Sequence, residues 1–282
     1  MITFATMQQT IAINSDYVKD RGSAESYLRQ IAAAGFTHVH WCHHWDTDYL
    51  YAPSEINQAQ RWLRDLGLQL RDVHASEGVE KYWLSPEEYV RQAGLDLIRN
   101  RMEMTARLGG EVIVLHLQPQ PKMVLFQNDY WQRLRRSLDA LQPFAQAYGV
   151  RLALENLLFD NYATIEKALT LYPPDFLGVC FDSGHGNFVG GGLAFLERVA
   201  GRLLALHLHD NDGQDDQHNF PFAGNIDWDA LIPLLAAAAY EGPVTLEVHL
   251  AGTNLTDEMA FLQQARAAGE QIVRRAARLQ VG

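Results

Sequence analysis

The segment 203–218, "LLALHLHDNDGQDDQH", sets three histidines and four aspartates in and after an apolar run. His207 and His209 stand inside that run, where a solvated loop would not place them. The same kind of ending recurs along the chain. "LALE" closes on Glu155, "VCFD" on Asp182, "VTLE" on Glu247, "RDVH" on His74 and "VIVLH" on His116. Side chains alternate faces along a strand. One parity of these runs is large and apolar: Leu152 and Leu154; Val179 and Phe181; Leu204, Leu206 and Leu208; Val244, Leu246 and Val248. The other parity ends in a carboxylate or an imidazole. Taken singly, His74 and His116 read as hydrogen-bonded core residues. Taken together, the endings are a cluster of ionisable groups whose only basic neighbour on the inward parity of strands three to eight is Arg151. Crowded carboxylates without cations must protonate or bind metal. The chemistry expected is a divalent cation on mixed oxygen and imidazole donors, which suits Mn²⁺, Zn²⁺, Co²⁺ or Mg²⁺.

Such endings converge only if the strands do. Strands are expected over 2–7, 36–42, 68–75, 111–117, 150–156, 177–182, 203–209 and 243–248. Helical periodicity follows each, near 24–34, 54–66, 86–108, 129–148, 162–171, 191–200, 227–239 and 256–278. "SPEE" (85–88) offers Ser85 as N-cap, Pro86 in the first turn and Glu88 at capping-box spacing. Gly35, Gly67, Gly109, Gly149 and Gly242 stand where left-handed C-caps are wanted. Asn225 or Asp227 starts the helix near 227–239. With no linker between halves, the 282 residues are expected to form a single (β/α)₈ TIM barrel, one domain over 1–282. A doubly wound open sheet is disfavoured, because no glycine-rich nucleotide turn follows the first strand. In a barrel the strand C-termini meet at one mouth, so His74, His116, Glu155, Asp182, His207 and Glu247 should share a cavity.

The net charge of −11 disfavours a broad electrostatic grip on nucleic acid or an anionic membrane, while leaving room for a small substrate held by metal. No stretch is apolar enough to span a membrane. Cys42 and Cys180 read as reduced core residues of a cytoplasmic protein, and "MITFATMQQT" carries no secretory signal. "HVHWCHHWD" (38–46) forms a histidine-rich rim. His43 and His44 read as loop residues; His40 is open between substrate contact and core. Trp41, Trp45, Tyr82 and Trp83 are candidate walls for a sugar ring or simple packing. "VGGG" (189–192) opens the sixth helix, either to cradle a phosphate or for flexibility. The basic end of the last helix could mediate homo-oligomer contacts.

"LALEN" (152–156), "FDSGH" (181–185), "HLHD" (207–210) with "DDQH" (215–218), "FAGNIDW" (222–228) and "TLEVH" (245–249) resemble the xylose-isomerase-like barrel superfamily. That group contains sugar and sugar-phosphate isomerases and epimerases and the zinc-dependent apurinic-site endonucleases. The resemblance implies a metal on Glu155, Asp182, His207 and Glu247, with His185 touching substrate. It implies a carbohydrate-like small-molecule substrate, with Glu155 and Glu247 exchanging a proton through an enediolate. His40, Trp41, His116 and His209 are further candidate substrate contacts, and Asp210 would support the site from behind. The endonuclease branch implies additional ligands: His74, His116, His185, Asp216 and His218. With them comes an alternative activity, phosphoester hydrolysis by a two- or three-metal cluster. Two departures count against that branch: "LLFDNYATI" replaces its glycine-rich stretch, and the chain is acidic. A non-catalytic binding protein on the same scaffold is a third reading, which the full ligand set opposes.

Overall fold

Seven of the expected strands form where alternation puts them, because each pairs an apolar face with a partner on either side. In the computed structural model, residues 10–18, 22–117, 127–238 and 240–280 are described. The strands are β1 (Ile11–Asn14), β2 (His38–Trp41), β3 (Gln69–His74), β4 (Val112–Leu115), β5 (Arg151–Glu155), β6 (Leu177–Asp182), β7 (Leu203–His207) and β8 (Val244–Leu246). All pairings are parallel, in the order β7-β6-β5-β4-β3-β2-β1-β8. A bridge between Leu208 and Leu246, with Leu208 N–H donating to Thr245 O at 2.9 Å, brings the ends of the sheet together. This is the (β/α)₈ barrel. The strand expected over 2–7 lies outside the described residues, and the first barrel position is taken by Ile11–Asn14, inside the stretch read as the loop after it.

The helices are α1 (Ala24–Ala33), α2 (Pro53–Leu66), α3 (Glu88–Arg107), α4 (Gln127–Tyr148), α5 (Tyr162–Leu171), α6 (Ser183–Val189), α7 (Gly192–Val199), α8 (Trp228–Ala237) and α9 (Glu258–Gln280). Their ends follow local chemistry. Asp227 caps α8 by accepting from Ala230 N–H at 3.0 Å. Gly67 ends α2 at φ 67°, a left-handed cap that a side chain would strain. Two expectations fail. α3 begins at Glu88 rather than at Pro86, since Ser85 Oγ accepts from Glu87 N–H in a turn before the helix and Glu88 is drawn to Arg91. Gly242 has no positive φ; it is small because a Cβ there would strike Tyr240.

The apolar parity packs between strands and helices: Leu152, Leu154, Val179, Phe181, Leu206, Val244 and Leu246 are all at most 1% exposed. Each such side chain stabilises the fold by about 1.5–3 kcal/mol. A second cluster, Val112, Val114, Ala153, Cys180, Leu204 and Ala205, fills the barrel interior beneath the mouth. Cys42 and Cys180 are free and buried. No helix among the described residues is long and apolar enough to cross a membrane.

Strict alternation breaks at two β-bulges. Val39 pairs Leu70 while His40 pairs Asp72, leaving Arg71 as the extra residue on β3. Val179 pairs Leu203 while Cys180 pairs Ala205, leaving Leu204 as the extra residue on β7. Leu204 therefore joins the interior instead of the outer layer with Leu206. Arg71 accompanies Arg151 at the barrel floor, where its Nη2 donates to Leu204 O at 2.9 Å. The expectation that Arg151 is the sole inward base missed this insertion.

Candidate active site

The strand ends meet at the C-terminal mouth. Glu155 leaves β5, Asp182 β6 and His207 β7, and Glu247 follows β8 by one residue; all four are buried, and one donor atom from each lies within 4.8 Å of the others. His207 Nδ1 sits 3.1 Å from both Glu155 Oε1 and Glu247 Oε2. Burial alone would lower the His207 pKa, yet Cys180, Glu155 and Glu247 raise it well above its ordinary value. Burial would likewise raise both glutamates, but His207 holds them well below the usual carboxylate range, with His116 aiding at Glu155.

Two further groups adjoin this one. His74, His116 and Glu155 offer atoms within 4.8 Å. His116 Nε2 lies 3.2 Å from Glu155 Oε2 and 3.1 Å from His74 Nε2, and its Nδ1 is 2.8 Å from Glu77 Oε2. Against burial, Glu155 and Glu77 lift His116 to about 9; burial and His116 push His74 well down. His116 thus donates at both nitrogens and His74 accepts. The third group is His185, His209, Asp216 and His218. His218 Nε2 is 3.1 Å from Asp216 Oδ2, and His185 Nε2 is 3.6 Å from the same oxygen. Despite burial, these pairings hold His218 near 9, and His185, which also faces Asp182, near 10. Asp216 is correspondingly lowered against its own burial.

A short helix absent from the sequence reading positions part of this set. α6 starts directly after β6, with Asp182 as N-cap accepting from His185 N–H at 2.6 Å. Asp182 Oδ1 thereby serves the helix and faces the cluster at once. His185 Nδ1 donates to Asn156 O at 2.8 Å, so its Nε2 turns to the cavity. The glycine run does open the next helix: Gly190 and Gly191 turn the chain at positive φ between α6 and α7, Gly191 is the N-cap of α7, and Gly192, its first residue, packs on Gly186.

The cavity above the groups has a volume of ≈ 360 Å³. Its lining is apolar at Trp45, Leu157, Leu158 and Phe159 and polar at His74, His116, His185, Asp216, His218, Glu247, Asp16 and His249. Several expected contacts fall elsewhere. Trp41 is buried on the outer face, its Nε1 donating to Tyr51 Oη, because it alternates with inward His40. Trp83 packs in the core and its carbonyl accepts from Ser137. His40 is fully buried against Asp72 below the cavity. His209, expected to touch substrate, does not line the cavity: it is fully buried, with Nε2 3.1 Å from both Asp182 oxygens. Asp210 anchors the following loop by accepting from Trp228 Nε1–H at 2.7 Å and Ile226 N–H at 3.2 Å.

Sequence reading missed Asp16, Glu77 and His249. His249 continues the inward parity of Thr245 and Glu247 and was legible. Asp16 follows the misplaced first strand, and Glu77 lies in an irregular loop with no periodic signal. A separate cavity of ≈ 380 Å³ opens at the barrel floor among Arg71, Glu111, Arg151 and Tyr240, and holds none of the strand-end groups.

The donor chemistry fits a divalent metal. Carboxylate and imidazole atoms converge in several overlapping groups, and buried His207 Nε2 and Asp216 Oδ1 have no hydrogen-bond partner among the described residues. Residues 28–265 match the family model described as xylose isomerase-like TIM barrel. Uncharacterized protein y4fM of Sinorhizobium fredii is 35% identical over 88% of each chain. Fructoselysine 3-epimerase of Escherichia coli O157:H7 is 25% identical over 57% of this chain and 61% of its own length. Among solved structures, a D-tagatose 3-epimerase-like protein superposes with TM-score 0.78 at 21% identity, covering 95% and 99% of the two chains. IolI with a bound zinc atom gives TM-score 0.76 at 16% identity over 95% and 99%. With a family model spanning most of its length and all eight strands in barrel order, the chain belongs to the xylose isomerase-like TIM barrel family.

Proposed function

We propose that this protein is a divalent-metal-dependent isomerase or epimerase of a sugar or sugar phosphate, acting at the barrel mouth. The observation that carries the reading is the meeting of Glu155 and Glu247, from β5 and β8, at the same nitrogen of His207, each at 3.1 Å. Glu155, Asp182, His207 and Glu247 would hold the cation, whose charge offsets the oxyanion that develops as a proton leaves the carbon beside a carbonyl. Both glutamates are held ionised, so each can accept a proton. A carboxylate has two oxygens, and one can face substrate while the other stays in the cluster. Approaching from different strands, one removes the proton and the other returns it. His185, kept protonated near pKa 10, donates from Nε2 to a substrate oxygen while Asn156 fixes its Nδ1. Trp45, Leu157, Leu158 and Phe159 cover the apolar side of the ring and exclude water. The epimerases among the relatives support the reaction class.

The test is solvent-deuterium exchange into ketoses, followed by NMR, with protein loaded with Mn²⁺ or Co²⁺. Exchange at the carbon beside the carbonyl, lost in Glu155→Gln and Glu247→Gln, is expected; no exchange with any ketose would overturn the reading. One observation favours a second reading, hydrolysis of a phosphoester by a multinuclear zinc site: the groups His74–His116–Glu155 and His185–Asp216–His218 add ligand sets beside the first. Two or three tightly held zinc ions per chain, with phosphoester cleavage and no exchange, would establish it instead.

A further inference from the structure

Asp16 lines the cavity, yet the proposed chemistry does not use it. It follows β1 and is fixed by neutral donors. Asn14, fully buried at the end of β1, donates from Nδ2 to Asp16 Oδ1 at 2.8 Å. Trp45 donates from Nε1 to Asp16 Oδ2 at 3.2 Å. Asn14 Oδ1 in turn accepts from Val248 N–H at 3.1 Å, which ties the carboxylate to the residue next to Glu247. The Trp45 ring lies against His74 and His116, with centroids 4.4 and 5.4 Å away. Both supports of Asp16 are therefore anchored on the cluster.

The other carboxylates of the lining are spent. Glu155, Glu247 and Asp216 each lie 3.1 Å from a histidine nitrogen. Asp16 faces an amide and an indole instead, and among the described residues it belongs to none of the convergent donor groups. A carboxylate can accept at about four lone-pair sites, so two bonds leave it capacity for a ligand. No described lining residue is a lysine or arginine. Hydroxyl donors satisfy such a carboxylate, whereas a phosphate group meets like charge. An indole beside a fixed polar group is also how a pocket orients a ring that carries hydroxyls on an apolar frame. We propose that Asp16 is a specificity-determining residue: beside Trp45 it accepts hydrogen bonds from substrate hydroxyls remote from the reacting carbons, and so selects an unphosphorylated sugar. This rests on the reading that a sugar is isomerised or epimerised at this mouth.

The test measures sugar binding apart from turnover. Calorimetric titration of the Co²⁺-loaded protein with D-tagatose, D-fructose and their 6-phosphates gives affinities for the unmodified chain, Asp16→Ala and Asp16→Asn, with circular dichroism to check the fold. The free ketose should bind more tightly than its phosphate. Asp16→Ala should lose about 10–100-fold in affinity for the free ketose, the loss expected for a hydrogen bond to a charged group. In the exchange assay KM should rise more than kcat falls, because the contact is made before and during the reaction. Asp16→Asn should narrow the gap between ketose and phosphate. Unchanged affinity in a folded Asp16→Ala protein overturns the proposal, as does tighter binding of the phosphates by the unmodified protein, or no ketose binding at all. Should both variants fail to fold, ketoses lacking single hydroxyls are titrated into the unmodified protein, and the proposal falls if removing no remote hydroxyl weakens binding. Lost affinity in Asp16→Ala with no proton exchange by the unmodified protein leaves the binding role standing and the isomerase reading fallen. Proton exchange with unchanged Asp16→Ala affinity does the reverse.

Discussion

Cation binding should expel protons, and their number should report how many groups are filled. Without metal, His207 is held well above its ordinary pKa, His116 and His218 stand at about 9 and His185 at about 10. At pH 7.5 a group titrating near 9 is more than about nine-tenths protonated. A metal ligand must be deprotonated, so each of these rings gives up a proton when it coordinates. One ion on Glu155, Asp182, His207 and Glu247 releases about one proton, or about two if its charge also discharges neighbouring His116. Filling all three groups releases about four, from His207, His116, His185 and His218, while His74 is already neutral and contributes none. Calorimetric titration with Zn²⁺ in two buffers of different ionisation enthalpy measures the count directly. Release near zero would refute the electrostatic account of the site, and a stepwise rise to about four would favour the multinuclear reading.

The same shifts set the stability of the metal-free protein. A histidine whose pKa is raised by folding stabilises below its unfolded value and ceases to as pH climbs through its folded value, so stability, read as Tm, should fall between about pH 6.5 and 10, by up to roughly 3 kcal/mol for a histidine raised to about 9 and roughly 5 kcal/mol for one raised to about 10; a Tm rising over that range in chelator would contradict this. Glu155→Gln and Glu247→Gln should each lower turnover by about 10²–10⁴-fold with an unchanged circular dichroism spectrum. Gly184→Ala would drive a methyl group into the His209 ring, and denaturant unfolding should show a loss of about 1–3 kcal/mol. Leu206→Ala removes a side chain with no exposure from the layer under the helices and should cost about 2–5 kcal/mol by the same measurement.

Glu155, Asp182, His207 and Glu247 could be read from the sequence because each closes an apolar run whose parity fixes where its side chain points. Alternation failed where a strand gains a residue: nothing in "QLRDVH" or "LLALH" marks Arg71 or Leu204 as unpaired. Trp41 follows inward-facing His40, so alternation puts it on the outer layer, where of its two readings it takes packing rather than substrate contact. β1 was misplaced because "IAIN" is four residues long and buried on both faces, so it shows no alternation. Contacts such as His209 on Asp182, or Glu77 on His116, depend on loops and on α6, whose paths no periodicity encodes.

The two bulges give the barrel a place to absorb insertions and deletions. Arg71 and Leu204 are surplus to their ladders, so deleting either leaves every residue nearer the mouth on its present face: Asp72 and His74 on β3, Ala205 and His207 on β7. Deleting Val73 or Leu206 instead would turn His74 or His207 out of the cavity. The length of these strands can therefore drift at the floor, where Arg71 reaches the Leu204 carbonyl, without disturbing the ligands at the opposite end.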